Sequence, residues 1–342
     1  MQPASSNRDV IAIGASAGGV EALRKLTSEL PGNLPASVLV TLHLSPQFAS
    51  SLDEILTRAG PLPATFAEPK GRMERSRIYI APPDHHLLAV EGRLELGIGP
   101  RENYTRPAID PMFRSVAVCC GPRSIGVVLT GTMGDGASGL WAIKAAGGAT
   151  VVQDPRDAAY PGMPMRALDE ADPDHVTTLA ALPGLLVSLS NGPAGESRQL
   201  PQRVIQEVEI ARTGRSEMDT MDRIGRRSVF TCPDCNGIMW EIDEGQLVRY
   251  RCHVGHAYTA ELMALALDES LRRSLASALR GLEERAAVAR KLHHEAVGHG
   301  RDNLAPRWAR QAADLEREAD TIRDTIRRID MLAAGTVDTD AA

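Results

Sequence analysis

The stretch Val10-Ile11-Ala12-Ile13-Gly14-Ala15-Ser16-Ala17-Gly18-Gly19 is a short apolar run followed by a glycine-rich turn. Residues 20–26 after it have the spacing of an amphipathic helix. The order strand, turn, helix predicts that Ser16 lies at the carboxyl end of a parallel strand and at the amino end of a helix. Unpaired backbone N–H groups there favour negative charge. The G-x-S-x-G spacing is that of a nucleophile elbow.

Two other interpretations of this turn compete with a nucleophile. A dinucleotide-binding fingerprint, G-x-G-x-x-G, would need glycine where Ser16 stands. It would also need an acidic residue after the second strand, but the apolar run 37–42 is followed by His43. The other interpretation is a plain tight turn without chemistry. A base and an orienting acid at other strand ends would favour the nucleophile.

The composition excludes several classes of protein. The 342 residues are 43% hydrophobic and carry a formal net charge of -6, with acidic and basic residues interspersed, which argues against a nucleic-acid surface. No apolar run approaches the roughly 20 residues that span a bilayer. The first nine residues lack the apolar core of a signal peptide, so we expect a cytoplasmic protein without direct membrane insertion. Five cysteines, an odd number, do not suggest a disulfide framework.

Strand and helix patterns alternate over the first 190 residues or so. This alternation predicts an α/β fold, with a doubly wound, mostly parallel, Rossmann-like sheet and one antiparallel hairpin around residues 87–98. Sheets of this kind bind ligands at the carboxyl ends of their strands, near a switch in strand order.

Two further polar residues follow predicted strands. His43 follows the run 37–42, and Asp135 lies in a glycine-rich loop after the strand 124–129. Alone, His43 is a loop histidine and Asp135 the N-cap of the next helix. Together with Ser16 they offer a hydroxyl, a base to take its proton and an acid to orient the base.

Several motifs, in order along residues 8–190, carry a resemblance to a known family. They are Gly14-Ala15-Ser16-Ala17-Gly18-Gly19, His43-Leu44-Ser45-Pro46, Ile78-Tyr79-Ile80-Ala81-Pro82, Arg106-Pro107-Ala108-Ile109-Asp110, Leu129-Thr130-Gly131 and Gly162-Met163-Pro164. The sequence resembles the bacterial chemotaxis protein-glutamate methylesterase (CheB) family. The resemblance implies a serine hydrolase that removes methyl groups from glutamyl γ-methyl esters of methyl-accepting chemoreceptors, and deamidation of receptor glutamines. No cofactor is implied for catalysis.

The resemblance also assigns site residues. It places the nucleophile on Ser16, the base on His43 and the orienting acid on Asp135. Ala17 and Thr132 occupy positions where the family usually has threonine and methionine, and backbone N–H groups near them are candidates for the oxyanion hole. The remaining candidates for substrate contact are Met133, Arg106 and Met163, with Arg101 and Asn103 near the same crevice. Since the catalytic strand begins within the first ten residues, we expect this protein to lack the N-terminal receiver domain that the family usually carries.

A second motif follows a change in composition near residue 191. We expect a linker over 191–228, with a short polar helix at 200–212, and a zinc-ribbon-like module over 229–258. Its ligands would be Cys232, Cys235, Cys252 and His256, in the pattern C-x2-C followed by C-x3-H, with His253 as the alternative fourth ligand. Four protein ligands predict a structural zinc ion. A thiol cluster without metal is the other interpretation.

The last segment, 259–334, has apolar residues at alternating spacings of three and four, broken near Gly298-His299-Gly300. This pattern predicts an antiparallel helical hairpin. The hairpin is either self-contained or offers a surface for dimerisation or partner docking.

Three functions are therefore compared. An active glutamyl methylesterase is the leading one. The alternative is a catalytically silent esterase-fold adaptor that binds proteins through its zinc and helical module. A nucleotide-dependent oxidoreductase lacks the acidic residue that would hold the ribose.

Overall fold

The computed structural model describes residues 7–44, 50–244 and 247–337. Ser45 and Pro46 of the histidine motif lie outside these residues. The chain divides into two compact units, one up to Met263 and one from Ala264 onward. We call the first the catalytic unit and the second the helical unit.

The elements follow one another in this order. The strands are β1 (Val10–Ala15), β2 (Ser37–Leu42), β3 (Ala64–Phe66), β4 (Arg77–Ile80), β5 (His86–Val90), β6 (Arg93–Gly97), β7 (Ser124–Val128), β8 (Ala149–Gln153), β9 (His175–Thr177), β10 (Arg226–Thr231), β11 (Ile238–Glu244), β12 (Leu247–Cys252) and β13 (Ala257–Thr259). The helices are α1 (Gly19–Glu29), α2 (Leu52–Ala59), α3 (Ile109–Cys120), α4 (Ala137–Ala145), α5 (Gly162–Ala171), α6 (Leu182–Asn191), α7 (Gln202–Thr213), α8 (Met218–Ile224), α9 (Ala260–Gly298) and α10 (Ala305–Val337).

A seven-stranded sheet in the order β3-β4-β2-β1-β7-β8-β9 forms the centre of the catalytic unit. All of its strand pairs are parallel. The fold class predicted from the sequence is confirmed, with one refinement: β5 and β6 form their own two-stranded sheet outside the main one. The strand order switches at β1, because β2 lies on one side of it and β7 on the other.

The apolar core lies on both faces of this sheet, as expected for strands covered by helices on both sides. Successive residues of β1 point to opposite faces. Val10 and Ala12 pack with the apolar sides of α3, α4 and α5, whereas Ile11 and Ile13 pack with those of α1, α2 and α6. Each large aliphatic side chain buried in this way contributes about 1.5–3 kcal/mol to stability. The sheet is therefore a rigid platform for the loops at its strand ends.

The segment 191–228 differs from the linker that the sequence suggested. It contains α7 and α8, and α7 packs against α3 and the hairpin β5–β6. Val204, Glu207 and Ile210 on α7 are buried. Within the catalytic unit, α7 therefore joins the part built on the parallel sheet to the four-stranded sheet β10-β11-β12-β13, which we call the ribbon.

Six buried charged side chains fill the contact between α3, α7 and the ribbon. We call them the ion cluster: Glu102, Arg114, Glu207, Glu244, Arg249 and Arg251. Arg249 donates two hydrogen bonds of 2.9 Å to Glu207 and a further pair of 3.0 and 2.7 Å to Glu244. Glu102 pairs with both Arg114 and Arg251. These contacts tie the ribbon into the catalytic unit, although the sequence had suggested a separate module.

The helical unit is an antiparallel pair formed by α9 from Ala264 onward and α10. Three ion pairs join the two helices, and as the residue number rises along α9 it falls along α10. They are Arg272–Asp330, Glu283–Arg323 and Arg290–Glu316. Small residues of both predicted seams are buried: Ala286, Ala289, Ala296, Ala312 and Ala319. Neither these helices nor any other described helix combines the length and apolar character needed to cross a membrane.

Candidate active site

Three neighbouring strands of the parallel sheet, β2, β1 and β7, end beside one another. Ser16 follows β1, His43 follows β2, and Asp135 lies in the loop between β7 and α4. The three side chains therefore meet at the switch in strand order, where sheets of this kind bind their ligands.

Ser16 is held in a tight turn between β1 and α1. Its backbone N–H donates to the carbonyl of Thr130 at 3.0 Å, and its own carbonyl accepts from Gly19 N at 2.8 Å. Gly18 has a φ of 73°, a left-handed conformation that favours glycine. Across the turn, a Cβ on Gly131 would collide with Met163 and lie 2.9 Å from the Ser16 Cβ. Because Gly18 and Gly131 have no side chains, the turn can be this tight, and Ser16 lies half-exposed at the start of α1.

His43 bridges the serine and the aspartate. Its Nδ1 lies 3.0 Å from Ser16 Oγ, and its Nε2 lies 2.8 Å from Asp135 Oδ2. Since a carboxylate only accepts, Nε2 carries the proton and Nδ1 presents a lone pair to the hydroxyl. This tautomer is the one that can take the proton of Ser16.

Asp135 is fully buried and accepts four hydrogen bonds. Oδ2 accepts from His43 Nε2 and from the backbone N–H of Ile109 at 2.6 Å. Oδ1 accepts from Asn103 Nδ2 at 3.0 Å and from the backbone N–H of Asp110 at 3.2 Å. Burial opposes the charge of Asp135, but the hydrogen bonds from His43, Ile109 and Asn103 outweigh it and lower the pKa of this carboxyl. The residue therefore stays ionised beside the imidazole.

A second buried carboxyl, Asp110, lies next to Asp135. Its Oδ1 accepts from the backbone N–H groups of Gly136 at 3.1 Å and Gly139 at 2.7 Å, at the start of α4. Burial and the charge of Asp135 raise the pKa of Asp110 to about 8. From the sequence, Asp110 was noted only as the last residue of the motif 106–110. Its bonds go to the start of α4, more than 20 positions along the chain, so no local pattern marked Asp110 for this role.

Asn103 was expected only to line the crevice from an exposed loop, but the structure buries it. Its Nδ2 donates to Asp135 Oδ1 and also to Asp110 Oδ2 at 3.1 Å. One amide group thus contacts both buried carboxyls. No pattern in the sequence predicts this contact, because it depends on how the loop 98–108 folds back onto the sheet.

The other residues that the sequence suggested for the oxyanion hole or for substrate contact differ in burial and in hydrogen bonding. Among the described residues, the backbone N–H groups of Ala17 and Thr132 have no hydrogen-bond acceptor, so both are free to stabilise an oxyanion. Met163 is buried beneath Gly131, and its backbone N–H donates to the Gly131 carbonyl at 2.9 Å. Met133 is half-buried in the loop with Thr132.

The Arg106 side chain is engaged away from the triad. Its guanidinium donates to Asp84 Oδ1 at 2.8 and 3.0 Å and to the carbonyl of Gly99 at 2.9 Å. These bonds hold the loop 98–108 against the turn after β4. The contacts of Arg106 thus indicate a role in shaping this loop.

The predicted metal ligands converge at one end of the ribbon. The ligand atoms of Cys232, Cys235, Cys252 and His256 all lie within 4.8 Å of one another. The Sγ atoms of Cys235 and Cys252 are 3.7 Å apart, and His256 Nδ1 lies 3.5 Å from Cys252 Sγ. Zinc–sulfur bonds of 2.3 Å at tetrahedral angles place two sulfurs about 3.8 Å apart, so the set fits a zinc ion. His253 is outside this set.

Comparisons with known proteins show which family the chain resembles. The family model described as CheB methylesterase matches residues 11–186. The chain belongs to the CheB methylesterase family. A Methanosarcina mazei relative named protein-glutamate methylesterase/protein-glutamine glutaminase 2 is 40% identical over 168 residues, which cover 47% of this chain and 46% of the relative. A Leptospira interrogans relative is 34% identical over 184 residues, 54% of this chain and 95% of that protein.

A solved structure shares the CheB fold. The crystal structure of the Thermotoga maritima CheB methylesterase catalytic domain superposes with a TM-score of 0.51 and 31% identity, covering 54% of this chain and all of that one. The chain spans about half the length of several curated relatives that it matches. The shared part is the parallel sheet with its three strand-end loops, and it ends before α7 and the ribbon.

Proposed function

We propose that this chain hydrolyses glutamate γ-methyl esters of methyl-accepting chemoreceptors through a Ser16–His43–Asp135 triad, and deamidates glutamine at the same site. The observation that carries this proposal is the unbroken chain of hydrogen bonds from Ser16 Oγ through His43 to the buried Asp135. The names of the family and of its relatives support this substrate class and the glutaminase activity. We expect the reaction to take place in the cytoplasm.

The reaction begins when Ser16 Oγ attacks the ester carbonyl and His43 Nδ1 takes the hydroxyl proton. The N–H groups of Ala17 and Thr132 would hold the oxyanion of the tetrahedral intermediate. When the carbon–methoxy bond breaks, His43 returns the proton and methanol leaves. Water then attacks the acyl-serine and gives a proton to His43. His43 passes this proton to Ser16 Oγ as the acyl–oxygen bond breaks, which frees glutamate and restores Ser16. Asp135 keeps the imidazole in the required tautomer and stabilises its positive charge in both steps.

Ser16→Ala tests this assignment. We expect methanol release from a methylated receptor to fall by about 10⁴-fold or more, since the nucleophile is lost. The matched control is Ser28→Ala, which removes an exposed hydroxyl at the other end of α1 and should leave the rate unchanged.

The two candidate functions give different outcomes in this assay. Near wild-type turnover by Ser16→Ala would disprove the triad. If the wild-type protein neither releases methanol nor reacts with a fluorophosphonate probe at Ser16, the silent adaptor becomes the better explanation. Asp135→Asn should be severely impaired, because it presents the wrong partner to His43.

We also propose that Cys232, Cys235, Cys252 and His256 hold one structural zinc ion. The set offers four ligands and so leaves no position for substrate or water, as in structural zinc sites. Asp234 lies 4.0 Å from His256 Nε2 and accepts from Tyr258 Oη at 2.5 Å, which gives the site an outer partner.

A further inference from the structure

The ribbon reaches the active site through its last strand. β13 begins one residue after the ligand His256 and pairs with β12, which ends at the ligand Cys252. The free edge of β13 bonds to the loop 101–103. Ala257 N donates to Arg101 O at 3.4 Å, and Asn103 N donates to Ala257 O at 2.8 Å. The loop that carries Asn103 is thus an added edge of the ribbon sheet.

The Asn103 side chain continues this connection to the triad. Its Oδ1 accepts from the backbone N–H of Thr259 at 3.2 Å, while its Nδ2 donates to Asp135 Oδ1 and Asp110 Oδ2. Rotating the amide by half a turn would place an oxygen against two carboxyls and an NH₂ group against an N–H. Thr259 therefore fixes which end of the amide faces Asp135.

The backbone of this loop also needs external support. Asn103 and Tyr104 both have positive φ, 50° and 67°, a conformation that side chains other than asparagine and aspartate seldom adopt. The neighbouring Glu102 is buried and is held by Arg251 at 2.7 Å, one residue before Cys252. The ribbon thus holds Asn103 and also Glu102, the residue before it.

We infer that Asn103 is a positioning residue for the triad, and that a zinc ion on the Cys/His set is required to keep its amide on Asp135. This inference rests on the proposed function, because it concerns how the same triad is held. Zinc fixes the turn between β12 and β13, β13 fixes the Asn103 amide, and the amide supplies one of the four hydrogen bonds that orient Asp135. The ribbon is then a working part of the esterase site.

The first test replaces the amide. Asn103→Gly tolerates the positive φ but removes the hydrogen bond to Asp135. We expect kcat on a soluble methyl ester to fall about 10- to 100-fold, as is usual for partners of functional side chains, with KM nearly unchanged.

A second variant separates holding the loop from donating to Asp135. Asn103→Asp keeps the acceptor for Thr259 N but places a third carboxyl beside Asp110 and Asp135, so it should lose at least as much activity as Asn103→Gly. The control is Asp172→Gly, which changes another residue of positive φ, at the exposed end of α5. Wild-type kcat in Asn103→Gly would overturn the inference.

A further test removes the metal from the full chain. Cys235→Ser and treatment with a zinc chelator should both remove about one zinc per chain and lower kcat by a similar factor. Zinc added back after chelation should restore activity. Cys119→Ser, which alters a half-buried thiol at the end of α3, should retain both zinc and activity. In Asn103→Gly, chelation should cause little further loss, because both changes act through one contact. Equal further loss there would overturn the route through Asn103.

A readout independent of turnover is the NMR resonance of the His43 Nε2 proton. It should shift in the same direction in Asn103→Gly and in chelated wild-type protein, and stay in place in Cys119→Ser. An unchanged resonance after zinc removal would overturn the coupling. If Ser16→Ala retained activity, the proposed function would fail, yet this resonance and the zinc content would still test the contact.

Discussion

Two groups of charged side chains are buried in the catalytic unit, and they differ in charge balance. The ion cluster contains three glutamates and three arginines that pair with one another. The pair Asp110–Asp135 contains carboxyls alone. Its described contacts are neutral N–H donors and His43.

The difference in balance leads to different protonation states. In the ion cluster, burial opposes charge, but the neighbouring guanidinium groups prevail and lower the pKa of Glu102 and Glu207. In the carboxyl pair, only Asp135 keeps a lowered pKa, and Asp110 holds its proton up to a pH of about 8. The oppositely charged side chains of the ion cluster thus hold the ribbon against α3 and α7. In the carboxyl pair, Asp135 alone is ionised, and its negative charge faces His43.

Removing one cation should unbalance the ion cluster. Arg249→Met leaves Glu207 and Glu244 buried with fewer partners, and we expect the free energy of unfolding to fall by about 3–5 kcal/mol. Urea unfolding of the full chain, followed by tryptophan fluorescence, measures this loss. Trp240 lies in the ribbon and is fully buried.

The matched control is Arg212→Met, which removes a partly exposed guanidinium from α7, the helix that carries Glu207. Exposed ion pairs contribute about 0–1 kcal/mol, so this variant should stay close to wild type. If Arg249→Met cost no more than Arg212→Met, the ion cluster would not fasten the ribbon.

The same comparison explains what the sequence could predict. The strands β1, β2 and β7 are apolar runs whose ends carry Ser16, His43 and Asp135, so periodicity and motif spacing were enough to predict the sheet and to bring these residues together. Apolar patterning works because burial of such side chains is the rule.

The ion cluster could not be predicted in this way. Glu207 and Arg249 are residue types that usually lie on the surface, so α7 looked like a polar helix in a linker. The role of Asn103 depends on a left-handed turn and on an edge contact with β13, more than 150 positions along the chain. Neither feature leaves a periodic pattern in the sequence.

The raised pKa of Asp110 should make the free energy of unfolding depend on pH. An aspartate in the unfolded chain titrates near about 3.9, whereas Asp110 in the folded protein has a pKa of about 8. Between these values the folded state holds a proton that the unfolded state has lost. Stability contributed by this group therefore falls as pH rises, by about 1.4 kcal/mol per pH unit, and levels off above pH 8.

Urea midpoints measured between pH 6 and pH 9 test this slope. Other groups titrate in the same range, including Glu170, whose burial raises its pKa to about 7. The difference in slope between wild type and Asp110→Asn isolates Asp110, and Glu170→Gln serves as the matched control. Parallel slopes for wild type and Asp110→Asn would mean that Asp110 is ionised beside Asp135.

The smallest effect on chemistry should come from removing the helical unit. Both buried charged groups, the triad and the proposed zinc ligands lie within residues 7–263, so a chain that ends at Ser270 keeps all of them. We expect its kcat and KM on a soluble methyl ester to stay within about twofold of the full chain. If the helices dock the enzyme on receptors, turnover of methylated receptor in membranes should drop through a higher KM, because a tether raises the local substrate concentration without altering the chemistry. Faster hydrolysis of the soluble ester by the shortened chain would instead identify the helices as an inhibitory cover, and equal turnover of both substrates would leave them without a part in catalysis or docking.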